Sequence, residues 1–111
     1  MSNARKQKGT SFESEVVTYL KPLFTQVERR ALSGSLDKGD IAGLPVVIEC
    51  KNHKELRLAE WVDQAHAEAK NAGVPVGVVW HKRRGKGNPA DYYVTMTGAD
   101  FVHLLQQGAS P

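Results

Sequence analysis

The sequence predicts an α/β fold in which helices flank a central mixed β-sheet. Two observations predict it: apolar residues recur with helical spacing in separate stretches, and short apolar runs bounded by glycine or proline lie between them. The predicted order is α-β-β-β-α-β, followed by an edge strand and a C-terminal helix. At 111 residues, the chain has the length of one domain. We expect a flexible basic arm at 1–9, a single domain at 10–107 and a tail at 108–111.

The first half of the chain predicts one helix and three strands. The helix covers about residues 11–21, where Phe12, Val16 and Leu20 share one face and Pro22 lies near the end. A weakly alternating first strand at 26–32 leads into a Ser-Gly-Ser turn. Strands at 40–42 and 45–51 follow, joined by a turn that contains Gly43.

The second half predicts a helix over about 57–72, closed by Gly73. The apolar strand at 75–80 should run parallel to strand 45–51, because a crossover helix connects them. An edge strand at 91–96 comes next. Thr97 should cap a final helix that extends to about Gln107 and has apolar residues available for packing or for a dimer contact.

The end of strand 45–51 carries the candidate chemistry. Side chains alternate along a strand, so Glu49 and Lys51 project to one side and Cys50 to the other. Ionised residues are unusual on a buried strand, and a divalent cation beside an anionic substrate would explain them. Asp40 on the neighbouring strand would bring a second carboxylate, and hard oxygen ligands suit Mg²⁺ or Mn²⁺. The alternative is a turn aspartate plus a solvated ion pair.

Together with the upstream segment Lys8-Gly9-Thr10-Ser11-Phe12-Glu13, these residues resemble the PD-(D/E)XK nuclease superfamily. Within it they are similar to the small Holliday-junction resolvases of archaea and phages. The resemblance covers roughly residues 8–80, and it implies a restriction-endonuclease-like core.

The resemblance also implies roles for particular residues. Glu13 would join Asp40, Glu49 and Lys51 as a catalytic residue, and the metal ligands would be Asp40, Glu49, Glu13 and the backbone carbonyl of Cys50. The segment 30–35 is similar to the R-x-x-G-S segment of the family, which implies that Arg30, Ser33 and Ser35 contact DNA.

Two alternatives stay open at these positions. Gly39 replaces the usual proline before the family's aspartate, and residues 36–38 are additional, so Asp37 competes with Asp40 as the metal ligand. We favour Asp40 because it adjoins the apolar strand. Glu13 also fits a capping box with Thr10 at a helix N-terminus.

Two segments concentrate the basic charge of a chain whose net charge is only +3. One holds Arg5, Lys6 and Lys8, and the other, at 81–88, holds Lys82, Arg83, Arg84 and Lys86; neither contains an acid. Basic segments of this kind bind the phosphate backbone without reading sequence. The alternative is a disordered terminus and a solubilising loop.

Other features narrow the function class. No apolar stretch is long enough to cross a bilayer, so we expect a soluble, intracellular protein with no membrane partner, located in the host cytoplasm if phage-encoded. The single cysteine excludes an intrachain disulfide. His53 and His66 are excluded as metal ligands. Gln64 flanks the apolar stripe of the second helix and could hydrogen-bond toward the cleft, but we favour a solvated amide.

Four aromatic residues receive their own predictions. Trp61 and Trp80 fit core positions. Tyr92 and Tyr93 must face opposite ways on a strand, so at most one can line a nucleic-acid groove.

The candidate site predicts a metal-dependent nuclease, and the resemblance implies a Mg²⁺-dependent, structure-specific DNA endonuclease that acts as a homodimer on four-way junctions. The alternatives are a branched-DNA, nicking or restriction-like nuclease, and a noncatalytic nucleic-acid-binding module with the same fold.

Overall fold

A computed structural model describes residues 2–30 and 36–108, with side chains described from residue 11 onward. Its centre is a five-stranded sheet in the order β1-β2-β3-β4-β5. The strands are β1 (Glu28–Arg29), β2 (Ile41–Ala42), β3 (Val47–Lys51), β4 (Gly77–His81) and β5 (Tyr93–Thr95). β3 and β4 are parallel, and the other neighbours are antiparallel. The sheet is therefore mixed, as predicted.

Three helices accompany the sheet: α1 (Ser2–Leu20), α2 (Leu58–Ala72) and α3 (Gly98–Gly108), with a short 3-10 helix at Pro89–Asp91. Their order confirms the predicted α-β-β-β-α-β succession and restriction-endonuclease-like architecture. Buried residues of α1, including Phe12 and Val16, pack with Ile48 and Trp80 in one apolar cluster. Trp61 of α2 belongs to a second cluster with Val79.

Helix α1 begins at Ser2, well before the predicted start at residue 11. The residues ahead of the apolar stripe include arginine, lysine and glutamine, which favour helix, so the helix extends upstream of the stripe. The backbone of residues 2–9, predicted as an arm, is thus helical. Thr10 lies inside the helix, so the capping-box interpretation of Glu13 is wrong.

The β3-α2-β4 crossover follows the sequence closely. Gly73 ends α2 with φ 72°, and its N–H donates to the carbonyls of Ala69 and Lys70, as expected for a glycine C-cap. Gly77 begins β4, where an added Cβ would lie 2.3 Å from the carbonyl oxygen of Ala65. The absence of a side chain at Gly77 thus allows α2 to pack directly against the sheet, with side chains of α2 within reach of β3.

The third helix and the last strand complete the fold. Thr97 caps α3 as predicted, because its hydroxyl accepts a hydrogen bond from the Asp100 N–H at 3.1 Å. Strand β5 is shorter than predicted, since the 3-10 helix takes up the start of the segment. In the described part of the chain, no helix has the length and apolar character needed to cross a membrane.

Candidate active site

Asp40 is fixed at the entry to β2 and reaches the backbone of β3. Its Oδ2 accepts a hydrogen bond from the Cys50 N–H at 2.8 Å, and its own N–H donates to the Ile48 carbonyl at 3.1 Å. Gly39 before it has φ 92°, and a Cβ there would lie 2.7 Å from Cγ1 of Val47. Proline cannot adopt that φ, which explains why glycine stands where the resemblance led us to expect proline.

Glu49 and Lys51 project to the same side of β3, as the strand alternation predicted. Lys51 Nζ lies 3.3 Å from Glu49 Oε2, and Glu49 is 4% exposed. Cys50 faces the other side and packs against the α1 cluster. Burial raises the pKa of the Cys50 thiol, so this cysteine is protonated at neutral pH and is not a nucleophile.

Glu13 joins this group from α1. Its Oε2 accepts a hydrogen bond from Arg29 Nε at 3.3 Å. Burial raises the pKa of Glu13, and the nearby carboxylate of Asp40 raises it further, against the opposing effect of Arg29. The carboxyl groups of Glu13 and Asp40 are therefore close enough to influence one another.

Two residues of α2 complete the cluster: the sequence interpretation favoured the wrong alternative for Gln64 and missed Glu68. Gln64 Nε2 donates to Glu49 Oε2 at 2.7 Å and to Glu68 Oε2 at 3.1 Å. The solvated-amide interpretation of Gln64 is therefore wrong, because its amide bridges two buried carboxylates. Glu68, only 2% exposed, was not singled out. The available signal was the i,i+4 spacing of Gln64 and Glu68, which places them together beside the apolar stripe.

Asp37 takes a different position from Asp40. It is exposed, and its Oδ1 accepts a hydrogen bond from the Gly39 N–H at 2.9 Å. Burial raises the pKa of Glu68, and the nearby carboxylate of Asp37 raises it further, to about 7. Asp40 instead raises the pKa values of Glu49 and Glu13. The geometry thus favours Asp40 as the partner of Glu49.

The cluster brings together more carboxyl groups than Lys51 alone can neutralise. Burial raises the pKa of Glu49 to about 10, helped by Asp40 and Glu68. Lys51 opposes this shift at 3.3 Å, but burial and two carboxylates outweigh one partly exposed ammonium. Within the described residues, Oε1 of Glu49 and Oε1 of Glu68 are buried without a hydrogen-bond partner. Such oxygens need a proton or a cation.

These oxygens suit a hydrated hard cation better than a closed metal cage. No three His, Cys, Asp or Glu side chains in ranges 11–30 and 36–108 are arranged to hold a metal together. Mg²⁺ commonly binds through one or two carboxylates and keeps several waters. Asp40 and Glu49, with the unpartnered Oε1, fit that mode of binding.

A cavity of about 380 Å³ opens beside Lys51 and Gln64. Its walls include Trp61 and the basic residues Lys54 and Arg57. A larger cavity of about 650 Å³, next to Tyr19 of α1, contains none of the candidate catalytic residues. The smaller, more polar cavity therefore reaches the site at Lys51 and Gln64.

The predicted DNA-binding residues fall into several groups. Lys82 Nζ donates to the Tyr92 hydroxyl at 2.6 Å, and that hydroxyl lies 3.4 Å from Glu15, so Lys82 is directed away from Lys51. Arg83 is half-buried, whereas Arg84 and Lys86 are exposed. Arg30 is half-buried, and its Nε has no partner among the described residues. The side chains of Arg5, Lys6 and Lys8, and all of Ser33 and Ser35, lie outside the described residues.

Comparison with protein families decides the classification. A family model described as "Phage putative PDDEXK endonuclease" matches residues 4–109. The chain belongs to this family. The PD-(D/E)XK resemblance is thereby confirmed, and the match includes Glu13, Asp40, Glu49 and Lys51. Searches of curated proteins and of solved structures found no match.

Proposed function

We propose that this PD-(D/E)XK protein is a Mg²⁺-dependent, structure-specific DNA endonuclease that cuts phosphodiester bonds at four-way junctions. The observation that carries the catalytic part is the meeting of Asp40, Glu49 and Lys51 at the end of β3. Asp40 bonds the Cys50 amide at 2.8 Å, and Lys51 pairs with Glu49 at 3.3 Å. Two carboxyl groups meet an ammonium there, and the ammonium lines a polar cavity; this combination suits phosphodiester hydrolysis.

Asp40, Glu49 and the Cys50 carbonyl would hold the metal ion, with Glu13 in support. When bound, Mg²⁺ would supply positive charge that polarises the scissile phosphate and activates water. Mn²⁺ has the same preference for oxygen ligands and could replace it. The unpartnered Oε1 of Glu49 supports this assignment.

The protein's own side chains would position the reactants. The Cys50 N–H orients Asp40, and the Gln64 amide orients Glu49 through Oε2 while leaving Oε1 available. Lys51, 16% exposed at its side chain, would orient the attacking water and offset charge that develops on the phosphate. Charge held in place before the reaction stabilises a transition state without reorganisation.

Junction resolution requires two active sites related by two-fold symmetry, so the proposed enzyme is a homodimer. The exposed apolar residues of α3 support a dimer contact: Phe101, Val102 and Leu105 are each about half exposed. Sedimentation of the wild type and of Leu105→Glu tests this, because the substitution should yield monomers. A wild type that sediments as a monomer while cutting junctions symmetrically would contradict the dimer.

The phage family further suggests the cytoplasm of the infected cell as its location.

A cleavage panel tests the substrate. Purified protein with Mg²⁺ is incubated with four-way junctions, forks, linear duplex and single strands. Paired symmetric nicks confined to the junction are expected. Equal cutting of linear duplex would instead support a nicking or restriction-like nuclease. Tight, metal-independent binding with no cleavage of any substrate would support a noncatalytic binding module.

Substitutions test the site itself. Lys51→Ala and Glu49→Ala should abolish Mg²⁺-dependent cleavage while junction binding persists in chelator. Lys70→Ala is the matched control, because Lys70 is an exposed lysine in the last turn of α2. Wild-type cleavage by Lys51→Ala would exclude the proposed role of this ammonium.

A further inference from the structure

Lys51 begins a row of side chains that crosses the sheet to an exposed tyrosine. In the strand register, Lys51 of β3 pairs with His81 of β4, and His81 pairs with Tyr93 of β5. Residues paired in this way project to the same face of a sheet, and neighbouring strands lie about 4.8 Å apart. Tyr93 therefore lies two strands, or roughly 10 Å, from Lys51. That separation is short enough for one nucleic-acid strand to contact both residues.

Aromatic rings line the face along this row. Trp61 lies 5.4 Å from His53 and 6.1 Å from His81, and His81 lies 6.1 Å from Tyr93, measured between ring centroids. Trp61 and His81 are both 4% exposed, whereas Tyr93 is 53% exposed. The inner rings therefore form a packed support, and Tyr93 presents the accessible ring at its outer end.

Tyr93 borders a cavity of about 250 Å³ that adjoins the cavity at Lys51. The two share His53 and Lys54 in their walls. The outer cavity also includes Leu56, which is 59% exposed, and Arg84. It thus combines apolar side chains that a base can contact with cations that a phosphate can contact.

One contact shows what kind of group the tyrosine ring accepts. The guanidinium carbon of Arg83 lies 4.9 Å from the centre of the Tyr93 ring. A guanidinium is planar and stacks on aromatic faces, as a nucleobase does, so a base that stacks on this face would take the place of Arg83. Tyr92, by contrast, is 6% exposed, and its ring stacks with Phe12 on the α1 side. Only Tyr93 of this pair is therefore accessible to a ligand.

We propose that Tyr93 and Leu56 form a subsite for an unpaired nucleobase, next to the phosphate that lies at Lys51. The substrate class is then DNA with an unpaired nucleotide beside the cut, as at a fork or at the opened centre of a junction. The position of the cut rests on the proposed nuclease function. An aromatic ring accepts any base, so the subsite selects for an unstacked nucleotide and not for a sequence.

Binding in chelator, where no metal-dependent cleavage occurs, tests the subsite. The probe is a DNA duplex in which one strand continues as a single-stranded tail, with 2-aminopurine at the first unpaired position; a blunt duplex with the same label is the comparison. Tyr93→Ala should lower affinity for the tailed probe about fivefold or more, with little change for the blunt duplex. It should also remove the fluorescence quenching that stacking on the ring produces.

Two further variants separate stacking from general effects. Tyr93→Phe keeps the ring and should bind the tailed probe as the wild type does. Tyr19→Ala removes an exposed tyrosine of α1, 41% exposed and packed against Trp80 on the other face of the sheet, and should retain the preference for the tailed probe. Equal affinity of Tyr93→Ala and wild type for the tailed probe would overturn the subsite.

The outcomes distinguish this subsite from the proposed function. Mg²⁺-dependent cleavage by the wild type, together with unchanged tail binding by Tyr93→Ala, would exclude the subsite and leave the nuclease standing. Tail binding that depends on Tyr93, without cleavage of any DNA by the wild type, would support the subsite and exclude the nuclease.

Discussion

Replacing Glu49 by glutamine should stabilise the metal-free protein while abolishing cleavage. Glu49 is 4% exposed, and the carboxylates of Asp40 and Glu68 act on it. Ionising it inside this cluster costs free energy that ionisation in the unfolded chain does not. Glutamine has nearly the same shape and no charge, so it removes that cost and can still accept the Gln64 hydrogen bond through its carbonyl oxygen.

The magnitude follows from the pKa of Glu49, which is raised from 4.5 to about 10. Because the folded-state pKa is the higher one, this group's contribution to stability is fully present below about pH 4.5 and is lost as the pH rises toward 10. At pH 7.5 the loss is at most about 4 kcal/mol. Replacing the carboxyl by an amide also perturbs its hydrogen bond with Gln64, so we expect a net gain of roughly 1–3 kcal/mol. For a domain of this size that is a Tm increase of about 4–12 °C.

Thermal unfolding followed by circular dichroism in chelator measures this effect. The Tm difference between Glu49→Gln and wild type should be small near pH 5 and should grow toward pH 8. Glu55→Gln is the control, because the Glu55 side chain is 83% exposed and should change stability little. A Glu49→Gln variant with a Tm at or below that of wild type at pH 8 would refute the reasoning, as would a gain that is independent of pH.

Three further predictions follow from particular contacts. Mg²⁺ at 100 times its Kd should stabilise the wild type by about 2.7 kcal/mol and so raise its Tm. Asp40→Asn should remove most of that gain, and an equal Mg²⁺ response in thermal melts of both proteins would exclude Asp40 as a ligand. Gly77→Ala should destabilise the fold by about 1–3 kcal/mol, because its Cβ would lie 2.3 Å from the Ala65 carbonyl oxygen; an unchanged urea midpoint would show that α2 can move away from the sheet at no cost. Asp100→Ala should lower the free energy of unfolding in urea by about 1–3 kcal/mol. Asp100 Oδ2 accepts a hydrogen bond from the buried Gly77 N–H at 3.2 Å and contacts His66 Nε2 at 2.8 Å. Unchanged stability at pH 7 would mean that these contacts contribute nothing.

Much of the site could be predicted from local patterns. The alternation of a strand places Glu49 and Lys51 on one side and Cys50 on the other, whatever the strand packs against. The crossover rule makes β3 and β4 parallel, and Gly73 marks the end of α2. Asp40 is close in sequence to β3 and follows a glycine, so a tight antiparallel connection brings it to Glu49. These features depend on short-range geometry, which the sequence carries directly.

The start of α1 shows where local patterns were insufficient. Apolar periodicity marks the face that packs, and the residues before Phe12 lack it, so the prediction began the helix too late. Helix propensity alone extends it to Ser2. This error also produced the capping-box alternative for Glu13, which the longer helix removes.

Tertiary structure decided which distant side chains complete the site. Periodicity gives the face of α2 that is buried, but not the rotation and height at which that face meets the sheet. Gly77 lets α2 approach the sheet closely, and in this packing Gln64 bonds both Glu49 and Glu68. The strand register likewise brings Tyr93 into line with Lys51. The sequence by itself determined the two carboxylates and the lysine, since their positions depend on local geometry, whereas the amide, the extra carboxylate and the exposed tyrosine depend on packing between segments far apart in the chain.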